Sequence, residues 1–374
     1  MEKRKWYDKN IETSLIGFGV MRVKTVDGVI DEKKGFELID YAYNHGVNYF
    51  DTAMPYTNGQ NEKFLGKALK RYPRESLYIA TKLSMGIVNT KEEMIACIDE
   101  QLSNLQTDYI DFYLLHALNR KRFDTFLEWG VFEHVENLKR LGKIRYIGFS
   151  FHDDYDAFKY ILDSYDWDFC QIQLNYMDTK HQQGIKGYYD CVEKKVPVVI
   201  MEPLKGGKLS KFNNEITSLL KGQSESSISS WGLRWVGSLP GVKVLLSGMN
   251  ELDQVIDNVN TFTDFKPLND AEMNLIDEVA RRVRSLTKVD CTGCNYCMPC
   301  PVGVNIPGNF SMFNEYAMYG SVDEFNWRYN TLTKKEAFAD KCVSCKKCVK
   351  VCPQMINIPE KLKEVVTTSK ELIK

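Results

Sequence analysis

Gly17-Phe18-Gly19-Val20 closes the first strongly apolar run of this chain, and its reading decides between two ways of building an α/β protein. A doubly wound sheet that binds a dinucleotide carries a Gly-x-Gly-x-x-Gly turn after its first strand, then an acidic residue about 20 positions further on. The third glycine is missing here, and no acidic partner follows in a matching context. The doubly wound sheet is disfavoured, and the pattern must be sought along the rest of the chain.

Working outward, eight short runs rich in Val, Ile, Leu, Phe and Tyr read as strands, at 14–18, 47–51, 77–82, 110–116, 144–150, 169–174, 196–202 and 242–248. Segments of helical period lie between them, among them 32–44, 61–70, 92–102, 126–141 and 155–163, several closed by Gly or a basic residue. Eight strands with intervening helices predict a closed (β/α)8 TIM barrel. A long helix over 270–286 then leads to a cysteine-rich region. The 374 residues suit a barrel of about 250 plus an appendage. We therefore expect a barrel domain over 1–286 and a small, mainly helical, ferredoxin-like iron–sulfur domain over 287–374.

The charge balance, 49 Lys+Arg against 50 Asp+Glu, offers no global field for nucleic acid or an anionic membrane. No run of about 20 apolar residues is present to cross a bilayer. The basic start Met1-Glu2-Lys3-Arg4-Lys5 has no apolar run behind it, so no signal peptide and a cytoplasmic location are expected. In that compartment clustered cysteines read as metal ligands.

Eight of the eleven cysteines fall after residue 290, in a duplication. Cys291, Cys294, Cys297 and Cys300 form one run, and Cys342, Cys345, Cys348 and Cys352 a second with one more spacer residue. The copies continue to match beyond the cysteines, as Cys300-Pro-Val-Gly-Val-Asn-Ile-Pro307 against Cys352-Pro-Gln-Met-Ile-Asn-Ile-Pro359. Three thiolates at steps of three residues, then a fourth cysteine and a proline, is the spacing by which bacterial ferredoxins hold a [4Fe–4S] cubane. Two clusters are expected. The fourth cysteine crosses over in such proteins, which pairs Cys291, Cys294 and Cys297 with Cys352, and Cys342, Cys345 and Cys348 with Cys300. Structural zinc, which also uses Cys-x2-Cys units, is the alternative. Cys97, Cys170 and Cys191 read as core residues.

Four polar residues stand at or just beyond the C-terminal ends of successive strands, where a barrel places its active site: Asp51, Tyr56, Lys82 and His116. Singly each has a plain alternative, namely a helix cap, a packed loop ring, a solvated lysine and a hydrogen-bonded core histidine. Their joint placement favours chemistry.

With these residues the sequence resembles the aldo-keto reductase family, in the subgroup with a C-terminal ferredoxin-type domain. The likeness is carried by Phe50-Asp51-Thr52-Ala53-x-x-Tyr56, Asn61-Glu62-x-x-Leu65-Gly66-x-Ala68-Leu69, Ile79-Ala80-Thr81-Lys82 and Tyr113-Leu114-Leu115-His116, and extends from about Leu15 to Asn258. The resemblance implies a catalytic tetrad. Lys82 would lower the pKa of Tyr56, Asp51 would hold Lys82, and His116 would orient a carbonyl while hydride reaches carbon and Tyr56 protonates the alkoxide. It also implies NADP(H) or NAD(H), held by Gly19, Val20 and Met21, by Ser150 and Gln173 at the carboxamide, and by Met201, Pro203 and Leu204 at the ring. Phe151 stands where an asparagine is common, and Met201 where an aromatic often stacks. Gly248, Asn250, Gln254, Asp257 and Asn258 match the adenosine-phosphate end. Lys205 or Lys208 would meet a 2′-phosphate, or be solvated loop lysines.

The implied activity is reduction of a small aldehyde or ketone, with ferredoxin or another electron carrier as a candidate partner. Hydride moves two electrons together while a cubane passes one, so direct exchange requires a splitter such as a flavin, for which no signature is found. The alternative function is a redox-sensing or regulatory protein that uses the barrel to bind cofactor, with structural or sensory clusters.

Overall fold

A computed structural model describes residues 1–7, 9–222 and 226–373. The chain divides into two compact units, Met1–Ser210 with Ser226–Met273, and Lys211–Glu225 with Asn274–Lys374.

The first unit is built on a closed barrel of eight parallel strands. They span Ile16–Gly19, Tyr49–Asp51, Tyr78–Leu83, Ile110–Leu118, Ile144–Phe151, Phe169–Gln173, Val198–Met201 and Val242–Ser247. Each overlaps one of the expected runs. The strands are continuous apolar stretches because both faces are covered, one by helices and the other by the barrel interior. An antiparallel pair, Lys3–Lys5 with Glu12–Ser14, leads into the barrel. Between its strands Trp6, wholly buried, packs 4.6 Å from the Phe112 ring and 5.8 Å from that of Phe169, and its indole N–H donates to Thr13 Oγ1 at 2.8 Å.

The helices Glu32–Asn44, Asn61–Leu69, Lys91–Leu105 and Tyr155–Asp163 lie close to their expected bounds. The segment 126–141 differs: it belongs to two helices, Arg120–Glu128 and Val131–Arg140. Gly130, with φ +74°, breaks the path between them, a backbone conformation glycine adopts without steric cost. Gly66 serves a different need. A Cβ there would come within 2.4 Å of the Asn104 carbonyl oxygen, so glycine lets the helix Asn61–Leu69 close on the helix Lys91–Leu105.

The second unit is helical. Ile306–Tyr319, Val322–Lys334 and Ile358–Leu372 pack around Phe310, Phe313, Phe325, Phe338, Leu362 and Val365. The repeated Asn-Ile-Pro is here a helix start: Asn305 and Asn357 are N-caps, each with proline in the first turn, where its missing N–H costs nothing. Cys97, Cys170 and Cys191 are buried in the barrel unit, as their sequence context suggested. Among the described residues no helix is long and apolar enough to cross a membrane.

Candidate functional site

Strand register assembles the barrel site. Asp51 pairs with Ala80, and Lys82 lies two residues further along that face; Lys82 pairs with Leu114, and His116 lies two further again. Lys82 is wholly buried and its ammonium donates to Asp51 Oδ1 at 2.7 Å, Asp51 Oδ2 at 2.9 Å and the Thr52 carbonyl at 2.6 Å. Burial alone would push the lysine pKa down, but the Asp51 charge and the neighbouring Tyr56 outweigh it, and the lysine is held above its ordinary value. Burial raises the Asp51 pKa against the pull of Lys82. With both carboxylate oxygens engaged by the ammonium, the pair is charged.

Tyr56 opens a short turn, Tyr56–Gly59, that carries its ring over the pair: Lys82 Nζ is 5.1 Å from the ring centroid, and the His116 ring stands edge-on at 5.7 Å. Burial raises the phenol pKa; the Lys82 charge pulls it down without prevailing. Lys82 thus acts on Tyr56 in the direction that the resemblance implied, against a larger effect of burial. The hydroxyl stays a proton donor. His116 is pushed down to about 3, first by burial and then by the positive charge of Lys82, so its imidazole is neutral at ordinary pH. Its Nδ1 meets the Ser84 hydroxyl, one step past the paired Leu83 and Leu115.

The neighbouring strands supply two amides and a hydroxyl. Ser150 is buried and accepts from the Ala117 N–H at 2.7 Å, which leaves its own proton to give; Ala117 is left-handed, φ +49°, just after His116. Gln173, expected beside Ser150, is committed at both ends of its amide: Nε2 donates to Asp178 at 3.2 Å and Oε1 accepts from Gln182 at 3.1 Å. The residue in register with Ser150 is Gln171. It is buried, and among the described residues its Nε2 reaches only the Met201 sulfur at 3.8 Å and its Oε1 has no hydrogen-bond partner. An orphaned buried acceptor beside a free hydroxyl proton fits a nicotinamide carboxamide, which offers both a donor and an acceptor. Sequence spacing put 171 and 173 on one face of the strand; only register separates them.

The remaining cofactor candidates ring the same end of the barrel. Gly19 lies against Ser247 and Gly248, so a Cβ there would touch the Ser247 carbonyl at 3.4 Å. Val20 is buried, its carbonyl held by Asn61 at 2.8 Å, whereas Met21 is exposed. Met201 ends the seventh strand, partly exposed, with buried Pro203 and partly buried Leu204 in the loop beyond. Asn258 is a wall residue bonded to Ser247 Oγ at 3.0 Å, and Gln254 accepts from the Asn250 N–H at 3.0 Å, tying down the loop that contains Gly248; Asp257, on the same helix, accepts through its carbonyl from Thr261. Lys205 forms an ion pair with Asp178 at 2.7 Å, so its charge is committed within the protein. A cation the sequence reading missed is Arg22: its side chain lies along Gly248, and a Cβ on Gly206 would sit 3.4 Å from its guanidinium. It bridges the loops after the seventh and eighth strands.

In the second unit a cavity of about 200 Å³ is lined by Cys342, Cys345 and Cys348 of the second run and by Cys300 of the first. A smaller cleft of about 20 Å³ is lined by Cys291, Cys294 and Cys297 with Cys352. Each set joins three cysteines of one run to the last of the other, the crossed arrangement expected for two cubanes. Cys297 lines both cavities. Thiols are the metal-binding side chains around each space, five about the larger and four about the smaller, and thiolate is the donor type of an iron–sulfur cluster. The shorter spacing before Cys300 does not keep it from its set.

Residues 15–281 match the model of the aldo/keto reductase family, and residues 290–358 that of a 4Fe-4S dicluster domain, not a zinc module. A probable aldo-keto reductase 1 of Glycine max is 36% identical over 154 residues, 38% of this chain and 42% of that protein. L-galactose dehydrogenase of Arabidopsis thaliana is 26% identical over 312 residues, 77% of this chain and 97% of the relative. Among solved structures, the holo form of the aldo-keto reductase AKR11C1 from Bacillus halodurans superposes with a TM-score of 0.63 at 28% identity, covering 75% of this chain and 96% of that one.

Proposed function

The chain belongs to the aldo/keto reductase family, and from that premise we propose that it is an oxidoreductase that reduces a small aldehyde or ketone to the alcohol with NADPH or NADH. The observation that carries this reading is the buried Asp51–Lys82 pair set beneath a protonated Tyr56 and a neutral His116. Bound nicotinamide supplies hydride to the carbonyl carbon. The chain supplies the rest. His116 offers an N–H to the carbonyl oxygen and fixes its direction. Tyr56 gives its proton to the oxygen as negative charge grows there, and Lys82, held charged by Asp51, stabilises the phenolate left behind. Ser150 and Gln171 would hold the carboxamide, with Met201 beside the ring and Arg22 available to the phosphates.

We further propose that residues 287–374 form a domain with two [4Fe–4S] clusters in the crossed ligand sets, and that these exchange electrons singly with a carrier protein. The test is anaerobic reconstitution with iron and sulfide, then nicotinamide binding and turnover against a panel of aldehydes and ketones. Wild type is expected to oxidise NADPH or NADH with at least one carbonyl. Tyr56→Phe should bind the nicotinamide as tightly and turn over at least 100-fold more slowly. Equal turnover by the two proteins would overturn the reading.

A further inference from the structure

The two cysteine sets differ in what surrounds them. Segment 291–307 carries no charged residue, whereas 341–359 carries Lys341, Lys346, Lys347 and Lys350 and no Asp or Glu. Lys341 pairs with Glu336 at 3.4 Å; among the described residues the other three, all exposed, have no carboxylate partner. Lys346 and Lys347 line the cavity of Cys300, Cys342, Cys345 and Cys348, together with Tyr296, Val343 and Val351, which are 68%, 64% and 50% exposed. Cys345 is itself exposed. The other cleft has Thr292, Asn295 and Gln354 around its cysteines, and no charge.

We propose that the face formed by Lys346, Lys347, Lys350, Tyr296, Val343 and Val351 docks an acidic ferredoxin-type protein, which exchanges electrons with the cluster held by Cys300, Cys342, Cys345 and Cys348. The inference rests on the two-cluster reading above. Exposed apolar side chains beside lysines without carboxylate partners make a surface for a protein bearing carboxylates around an apolar centre: the charges steer and orient the encounter, and the apolar contact brings the redox centres close. A small anion would leave Tyr296, Val343 and Val351 in water. The exchange balances with one electron: the carrier's cluster is oxidised by one electron and this cubane is reduced by one, with no bond made or broken and no proton required. The same positive charge favours the reduced state of this cluster over that in the uncharged cleft. Cys297, which lines both cavities, is the cysteine that the surroundings of the two sets share.

The test uses the full chain, reconstituted anaerobically, with iron content measured first. The probe is an acidic plant-type [2Fe–2S] ferredoxin, reduced in advance. Its reoxidation on mixing with the oxidised protein is followed by stopped-flow absorbance. The second-order rate constant should fall roughly tenfold as NaCl is raised through the range in which the Debye length shrinks from about 10 to 3 Å. The K347E/K350E protein should react at least tenfold more slowly at low salt and lose that dependence, and K347Q/K350Q should fall between. Nicotinamide binding by the barrel should be unaltered in both. A rate indifferent to salt in the wild type, or unchanged in the charge-reversed protein with full iron content, overturns the docking face. A wild type that takes up no iron overturns the cluster reading itself, and the two failures are told apart by the iron measurement.

Discussion

Ser84 Oγ and His116 Nδ1 share a hydrogen bond inside the barrel mouth. The imidazole is neutral, so one ring nitrogen carries the proton and the partner of the other decides which. Ser84 is buried, and among the described residues its hydroxyl has no acceptor other than this nitrogen. Donation from Ser84 to Nδ1 satisfies both groups and leaves the proton on Nε2, the tautomer that can donate to a carbonyl oxygen. The reverse would strand a buried hydroxyl proton, at a cost of about 1–3 kcal/mol.

Ser84→Ala should therefore lower kcat by about tenfold, equivalent to about 1.4 kcal/mol, with little change in nicotinamide affinity. Ser84→Thr should recover most of the loss. Nitrogen NMR of the His116 ring provides a readout apart from turnover: the proton on Nε2 in the wild type, and a mixture of tautomers in the alanine variant. A wild-type ring with its proton on Nδ1 would refute the assignment.

Between pH 5 and 8 His116 does not change charge, so the rate profile over that window should lack a limb from it. The group also has a stability consequence. Its folded pKa of about 3 lies below the ordinary 6.5, so the unfolded chain binds more protons between those values, and stability from this group rises with pH there. It is fully present above about pH 7 and lost as pH falls toward 3. Chemical denaturation of wild type and His116→Gln at pH 7 and pH 5 checks this, since the wild type should lose more stability on acidification by about 1–2 kcal/mol.

Lys82→Met leaves Asp51 buried and without its cation. Loss of one partner of such a pair costs about 3–5 kcal/mol. Lys82→Met with Asp51→Asn should recover a substantial part of that stability and none of the turnover, which separates the structural from the chemical share of the pair. Thermal melts at one pH measure the first, and NADPH oxidation the second.

Gln171→Ala should weaken nicotinamide binding by about tenfold, a loss of about 1.4 kcal/mol for a buried amide hydrogen bond. Gln173→Ala should act less directly, since its amide is spent on Asp178 and Gln182. Fluorescence titration with NADPH compares the two. A larger effect at Gln173 would return the carboxamide contact to the position that the family resemblance implied.

These two glutamines mark where the sequence stopped being legible. Strand existence was readable because a strand covered on both faces must be apolar throughout, and the eight runs announced themselves. Asp51, Lys82 and His116 were readable because polar residues at the ends of such runs have no core role. What one sequence does not display is register between strands: the choice of Gln171 over Gln173, the meeting of Ser84 with His116 and the passage of Arg22 along Gly248 are facts of neighbouring strands and loops. Gly130 divides the segment 126–141 into parts of two helices although the helical period continues on both sides of it. The cysteine sets were the most legible feature, since ligand spacing is local. The crossed lining of the two cavities matches the pattern that two-cluster ferredoxins led us to expect.

Hydride transfer from nicotinamide to a carbonyl carbon, as proposed for the barrel, leaves its mark on the product. The most direct measurement uses NADPH deuterated at the C4 position that is transferred, with a carbonyl the protein turns over, and mass analysis of the alcohol. One deuterium is expected on the carbinol carbon of every product molecule, with the same product formed at least 100-fold more slowly by Tyr56→Phe. Alcohol formed without deuterium from either C4 position, with its electrons arriving singly through the clusters instead, would contradict it.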